Sequence, residues 1–263
     1  MKKLAFYEAT QDKSTNLHYF FSRDAYTPPH FHRSIEILYI TEGNLIGEVE
    51  NETFSADKDD IIFVRRCAIH ALEPAGSYSD YVLVVKAAYA DDFSPVLEKE
   101  TLPPLLSDKA FNRKLLPYFR RLKEAVSNEN FLVSKGLIDV IIGELLGRYP
   151  KKPVVSAPNM SLIVSVLNYI DDHFREPITL ESISSEFGYN KYYFSRLFNS
   201  YIGETLNSYI NMVRVNNVIS LGKKQENGNL CDLVFDCGFD SMTTFYRNFS
   251  RFYDKPPTEI LRS

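Results

Sequence analysis

The sequence predicts an α+β chain of two domains, with a β-barrel and a pair of helices in front and an all-α domain behind. Three observations carry this. Residues 17–105 break into short β-rich runs separated by turn residues, and from about Ser107 the apolar period becomes helical. The last hundred residues then contain one helical pattern twice: LESISSEFGYNKYYFSRLF from Leu180 and LCDLVFDCGFDSMTTFYRNF from Leu230.

The composition suits a soluble globular chain. Of 263 residues, 44% are apolar and 24% charged, and the formal net charge is −4. No apolar run approaches the ~20 residues of a membrane span. The start MKKLAFYEATQDK meets Glu8 and Asp12 before any long apolar stretch, which argues against a signal peptide. Cys67, Cys231 and Cys237 form no CxxC pair, as expected in the cytoplasm. Cys231 and Cys237, on one helix of the second repeat, are expected to be small core residues.

Within the β region, IEILYI (35–40), LIGEVE (45–50), IIFV (61–64) and YVLVV (81–85) are the clearest strands. Glu42-Gly43-Asn44, Asp57-Lys58-Asp59-Asp60 and Pro74-Ala75-Gly76 supply the turns between them. Residues 108–126 and 131–148 predict two helices. The second is apolar on more than one face, through Leu137, Val140, Ile141 and Leu145 with Ile138 and Ile142 beside them. It can serve its own barrel and a second subunit, or lie wholly within one chain. The three prolines of 150–160 predict a linker. Ile163, Val166, Leu167 and Ile170 then mark an amphipathic helix, and Thr179 stands where the next helix needs a cap.

Each repeat is a short helix, a glycine and a second helix, the pattern of a helix-turn-helix DNA reader. Gly188 and Gly238 fall where a left-handed residue ends the first helix, and Asn190 and Ser241 where the second needs an N-cap. With Phe194, Leu197 and Phe198 inward, Lys191, Tyr192, Ser195, Arg196 and Asn199 form the first reading face. With Phe245, Phe249 and Phe252 inward, Met242, Thr243, Tyr246, Arg247 and Ser250 form the second. Arginine can pair with guanine, small polar groups with bases or phosphate, and Met242 or Tyr192 with a thymine methyl. Residues 206–221 predict a helical strut between the units, about 24 Å long. Residues 160–263 hold 10 Lys and Arg against 12 Asp and Glu. The positive surface is therefore local, and binding should weaken steeply with salt.

Residues 161–263 resemble the arabinose-operon regulator (AraC/XylS) transcription factors. Gly238-Phe239, Phe245, Arg247, Phe249, Phe252 and Pro257 match that family's C-terminal signature, and Tyr209, Arg214 and Leu221 its linker helix. The chain departs at Asp254, where a glycine is usual and a left-handed Asp would substitute, at Val218 in place of alanine, and in a longer loop at Gly222–Gly228.

Further forward, His30-Phe31-His32, Glu36 and Gly43 resemble the first motif of the cupin barrels, and His70 resembles the histidine of the second. Arg66-Cys67-Ala68 replaces that second motif's Pro-x-Gly turn. The resemblance implies a cupin-like ligand-binding barrel over 1–106, with His30, His32, Glu36, Tyr39 and His70 around a pocket for a small polar effector such as a sugar. No cofactor is expected. If a metal binds, the expected ligands are His30, His32, Glu36 and His70, since three imidazoles and a carboxylate suit iron or manganese. A structural alternative lets these histidines only tie strand ends. The segment 1–27, with Tyr7, Tyr19, Phe20 and Phe21, is expected to cover the pocket as an arm.

The full expectation is a cytoplasmic transcriptional regulator. Its parts are the barrel, a helical dimerisation pair at 107–149, the linker at 150–160 and a double helix-turn-helix domain at 161–263. The resemblance favours an activator, and the expected partners are promoter or operator DNA, a small-molecule effector, RNA polymerase and a second copy of itself, with no membrane. The competing classes are a metal-dependent cupin enzyme fused to a DNA-binding domain, and a regulator whose barrel only dimerises.

Overall fold

The computed structural model describes residues 6–8, 17–50, 52–86, 89–90, 92–97, 99–154, 158–224 and 229–261. The chain divides into two units, Met1–Val155 and Ser156–Ser263.

The first unit is built on a sheet of eight strands: β1 (Phe6–Tyr7), β2 (His18–Arg23), β3 (Thr27–Phe31), β4 (Ile35–Val49), β5 (Glu52–Asp57), β6 (Ile61–Val64), β7 (His70–Val85) and, after β8 (Glu100–Thr101), β9 (Leu105–Leu106). Its order is β1-β3-β7-β4-β6-β9, with β2 also on β7 and β5 also on β4. Pairing is antiparallel except between β1 and β3.

Two of the predicted turns are bends inside long strands. Glu42-Gly43-Asn44 lies within β4 and Pro74-Ala75-Gly76 within β7; Glu42 and Gly43 pair with Ser79 and Tyr78 and Leu45 with Pro74, with register shifts at Ile40/Glu42 and Gly43/Leu45. Such bulges bend and twist a paired strand without ending it. Turn residues mark both outcomes, and pairing decides between them. The bend folds the sheet over: Leu38 and Ile40 from the first half of β4 share a core with Leu45 and Val49 from its second half. Asp57–Asp60 is a true turn, with Asp59 left-handed.

Strand alternation divides two cores. Leu38, Ile40, Ile62, Val82 and Val84 face inward. Ile35, Ile37, Tyr39, Phe63 and Leu83 face outward onto helices. After α1 (Ser94–Leu97), those helices are α2 (Lys109–Ser127) and α3 (Phe131–Arg148). Asp108 and Asn130 cap them by accepting from the amides of Phe111 and Val133. Buried Asn112 anchors α2 by donating to the Asp59 and Leu106 carbonyls at 2.9 and 2.7 Å. On α3, Leu137, Ile138, Ile141, Ile142 and Leu145 are buried in the chain's own core, each worth roughly 1.5–3 kcal/mol. Phe131, Leu132 and Val140 stay exposed.

Part of the predicted linker is held on this unit. Lys152–Pro153 forms β10 against β8, and the Val154 amide donates to the Lys99 carbonyl at 3.0 Å. Residues 155–157 and, of the expected N-terminal arm, residues 1–5 and 9–16 lie outside the described residues; Tyr7 stands in β1 and Tyr19, Phe20 and Phe21 in β2, as strands of the sheet.

The second unit is helical: α4 (Pro158–His173), α5 (Leu180–Glu186), α6 (Lys191–Ile202), α7 (Leu206–Lys224), α8 (Leu230–Asp236), α9 (Met242–Phe249) and α10 (Pro257–Ile260). The strut α7 runs three residues past its predicted end. Its buried Arg214 donates to the Phe174 and Glu176 carbonyls at 2.7 and 2.8 Å, tying α7 to the end of α4. Asp254 is not among the described left-handed residues, so no glycine-like geometry is needed there. Cys237 is buried as expected, just past the end of α8, but Cys231 is only half-buried.

Candidate functional sites: a buried histidine cluster and two helical reading faces

The inner face of the sheet gathers His30, His32, Glu36 and His70, all buried, with one ligand atom from each lying within 4.8 Å of the others. Strand pairing explains this: His30 on β3 is opposite His70 on β7, while Glu36 enters from β4. Each imidazole turns Nδ1 toward a backbone carbonyl: His30 to Pro28 at 3.0 Å, His32 to Ser34 at 3.1 Å and His70 to Ala68 at 3.0 Å. A carbonyl only accepts, so Nδ1 carries the hydrogen in all three and Nε2 is the end presented to the cluster. His32 Nε2 is 2.7 Å and His70 Nε2 3.4 Å from Glu36 Oε2, and His70 Nε2 makes no hydrogen bond among the described residues. Burial alone would raise the Glu36 pKa, but the close Nε2 groups of His32 and His70, when those rings are protonated, hold it well below the usual carboxylate range.

Two side chains change the predicted roster. Tyr39, read as pocket-lining, is three residues from Glu36 on one strand and therefore on the opposite face. Its ring packs on Phe119 and its hydroxyl donates to Asp59 at 2.9 Å. Glu8, which sequence reasoning missed, reaches His30 at 3.3 Å because β1 pairs with β3. A lone acid in a polar segment gives no sequence signal of that pairing. Cys67 takes the left-handed conformation (φ 60°) at the turn where a glycine was missing from the motif. The Arg66 side chain steadies that turn by donating to the Arg33 carbonyl.

The two helical repeats are built alike. After α5, the Gly188 amide donates to Ser185 and the Tyr189 amide to Ser184; after α8, Gly238 donates to Phe235 and Phe239 to Val234. These are paired Schellman closures around glycines at φ 72° and 86°. Asn190 then accepts from the amides of Tyr192 and Tyr193, and Ser241 from that of Thr244. Thr179 caps α5 with Ser182 in a capping box.

On α6, Phe194 and Phe198 are buried and Leu197 half-buried, leaving Tyr192, Arg196 and Asn199 exposed with Lys191 and Ser195 half-buried. On α9, Phe245 and Phe249 are buried; Thr243, Tyr246, Arg247 and Ser250 are exposed and Met242 half-buried. Phe252, expected inward, is half-buried beyond the end of α9. Lys191 on the first face already has an acidic neighbour, Glu181 at 3.0 Å; beyond the end of α9, Arg251 likewise pairs with Glu204 at 3.6 Å. The Asn199 amide can turn back to the Ser195 and Glu204 carbonyls. Arg196 and Arg247, at matching places in the repeats, have no ion-pair partner among the described residues.

Known families match both units. The AraC-like ligand binding domain matches residues 18–140, and a helix-turn-helix domain matches residues 183–263. The multiple antibiotic resistance protein MarA of Escherichia coli K12 is 33% identical over 95 residues, 36% of this chain and 74% of that protein. The regulatory protein SoxS of the same organism is 27% identical over 101 residues, 38% of this chain and 94% of that protein. Among solved structures, ToxT of Vibrio cholerae aligns over 94% of this chain and 98% of that one, at 13% identity and a TM-score of 0.45. With a ligand-binding domain and a helix-turn-helix domain in series and a relative of this identity, the chain belongs to the AraC family of DNA-binding transcriptional regulators.

Proposed function

We propose that this regulator reads promoter DNA through α6 and α9 and holds a small polar effector on the inner face of its sheet, around His30, His32, Glu36 and His70. The observation that carries the DNA part is the matched pair of exposed arginines, Arg196 and Arg247, on helices with the same glycine closure and N-cap. Arg196→Ala and Arg247→Ala should each weaken binding to the native promoter by ~1–3 kcal/mol and relax base preference at separate positions. Lys191→Ala should cost less, because Glu181 already competes for that charge. Quantitative footprinting on the promoter checks this; wild-type affinity in both arginine variants sinks it.

For the effector part, a thermal-shift screen of the full chain with sugars and amines should yield a stabilising ligand whose effect Glu36→Gln removes. If no ligand stabilises the chain, the barrel serves assembly alone. Assembly is proposed through 107–149, where Phe131, Leu132 and Val140 of α3 stand exposed beside its core-facing stripe, Leu132 at 79%; sedimentation should show a dimer. Activation through RNA polymerase and a cytoplasmic location complete the proposal.

A second reading is favoured by the three uniform tautomers: the cluster fits a divalent transition cation. His30, His32, His70 and Glu36 would hold it, and it would supply a fixed positive charge to bind or polarise an oxygen-bearing ligand. Stoichiometric iron or manganese in purified full-length protein would favour this reading and, with turnover, a fused enzyme.

A further inference from the structure

The positive charge that the reading unit lacks is concentrated on α2. Residues 160–263 hold fewer bases than acids and the whole chain carries −4, yet α2 alone has six cations against one acid, Glu124. Helix stability does not call for them. The helix dipole favours cations in the last turn, and α2 has none there.

The fold sorts these cations. Leu115, Phe119 and Leu122 bury the inner side of α2, and Arg113, Lys114, Arg120 and Arg121 are exposed on the other. Arg113 and Arg120 are seven residues apart, as are Lys114 and Arg121, which is two turns or about 10.5 Å. Acids answer only part of this charge: Lys109 lies 3.7 Å from Asp60, and Arg113 3.3 Å from Asp59. Lys114, Arg120 and Arg121 have no ion-pair partner among the described residues. Tyr118, between them in sequence, is 37% exposed.

Such a face fits a polyanion. A second copy laid with α2 against α2 would set like charges face to face. A lipid surface needs an apolar side free to insert, and that side of α2 is buried in the core. Double-stranded DNA needs neither, carries one negative charge per ~1.7 Å of its axis, and is the ligand of this family.

We infer that the exposed side of α2 is a second, sequence-independent DNA contact, which holds the phosphate backbone beside the site read by α6 and α9. This rests on those two helices reading promoter DNA. Lys114, Arg120 and Arg121 pair with phosphates, Arg113 exchanges Asp59 for another, and the Tyr118 hydroxyl donates to a phosphate oxygen. The two units belong to one chain, so a duplex held by the reading helices raises the effective concentration of phosphates at α2. The contact adds the attraction that a slightly acidic reading unit cannot supply.

The test is anisotropy titration of the full-length protein with its native promoter duplex and a scrambled duplex, from about 50 to 200 mM salt. The variant K114Q/R120Q/R121Q alters only exposed side chains without ion pairs, and its thermal unfolding should match the wild type. It should lower the salt slope by roughly two to three and weaken both duplexes at least ten-fold at ~50 mM salt, leaving promoter preference unchanged. Glu124→Gln should strengthen both about two-fold. Unchanged affinity and slope in the triple variant overturns the inference, as does a loss of promoter preference. Reduced transcription with DNA binding intact also overturns it and assigns the face to an acidic protein surface. The reading helices are judged apart, by Arg196→Ala and Arg247→Ala in the same assay. If those lose affinity and the triple variant does not, only the α2 contact is rejected; if only the triple variant does, the reading faces are.

Discussion

Replacing Gly238 by alanine should destabilise the DNA-reading unit far more than the same change at Gly188, although the two glycines close equivalent helices. Both hold a left-handed backbone, at φ 86° and 72°, which costs an alanine ~1–2 kcal/mol. At Gly188 a new methyl group meets nothing within 4 Å. At Gly238 it would stand 2.7 and 2.8 Å from the carbonyl oxygens of Phe174 and Arg175, which are backbone and cannot rotate away. The Phe174 carbonyl also accepts from buried Arg214, so relieving the overlap breaks the tie between α4 and α7. Overpacking of this kind adds ~1–3 kcal/mol, for a total of roughly 2–5 kcal/mol. Thermal unfolding of the two variants, with promoter binding as a second readout, checks it. Equal losses would show that close approach at Gly238 is unimportant.

The stability of the sheet unit should fall as pH rises from about 4 to 7, and Asp80→Asn should remove much of that slope. Burial lifts the Asp80 carboxyl from 3.8 to about 7, helped by the charge of Glu36 on β4 and opposed by the Ser22 hydroxyl on β2; Tyr78 lies nearby on the same strand. In that interval the folded chain keeps a proton that the unfolded chain has released. Stability is therefore complete below the unfolded value and is lost progressively as pH passes through the folded one. The slope approaches ~1.4 kcal/mol per pH unit and the sum is at most about 4 kcal/mol. Glu36 acts with the opposite sign, but its depressed pKa confines its contribution to lower pH. Urea unfolding of wild type and Asp80→Asn at pH 5 and 8 measures the difference. A flat wild-type profile would remove Asp80 as a buried proton carrier.

Much of the helical unit was legible because its signals are local. A glycine two residues before Asn190, and another three before Ser241, specify a helix end and a helix start within one turn of chain. Those contacts formed as the spacing requires. The histidine cluster was legible for a related reason: His30, His32 and Glu36 are close in sequence, and period-two alternation brings them to one face with His70. The same alternation should have removed Tyr39 from the pocket. It could also have drawn attention to Asp80, a lone acid in phase with Val82 and Val84.

By itself, then, the sequence determined the two-unit order, the repeated helix–turn–helix and the inward histidines and glutamate, all set by short-range periodicity and capping. Tertiary structure decided the matters that depend on distant partners. It turned two turn-like segments into bends of paired strands, brought Glu8 to His30 and spent Lys191 on Glu181. It also pressed Gly238, but not Gly188, against backbone. These outcomes follow from which surfaces meet on folding, and the pairing of residues tens of positions apart leaves no mark in either neighbourhood alone.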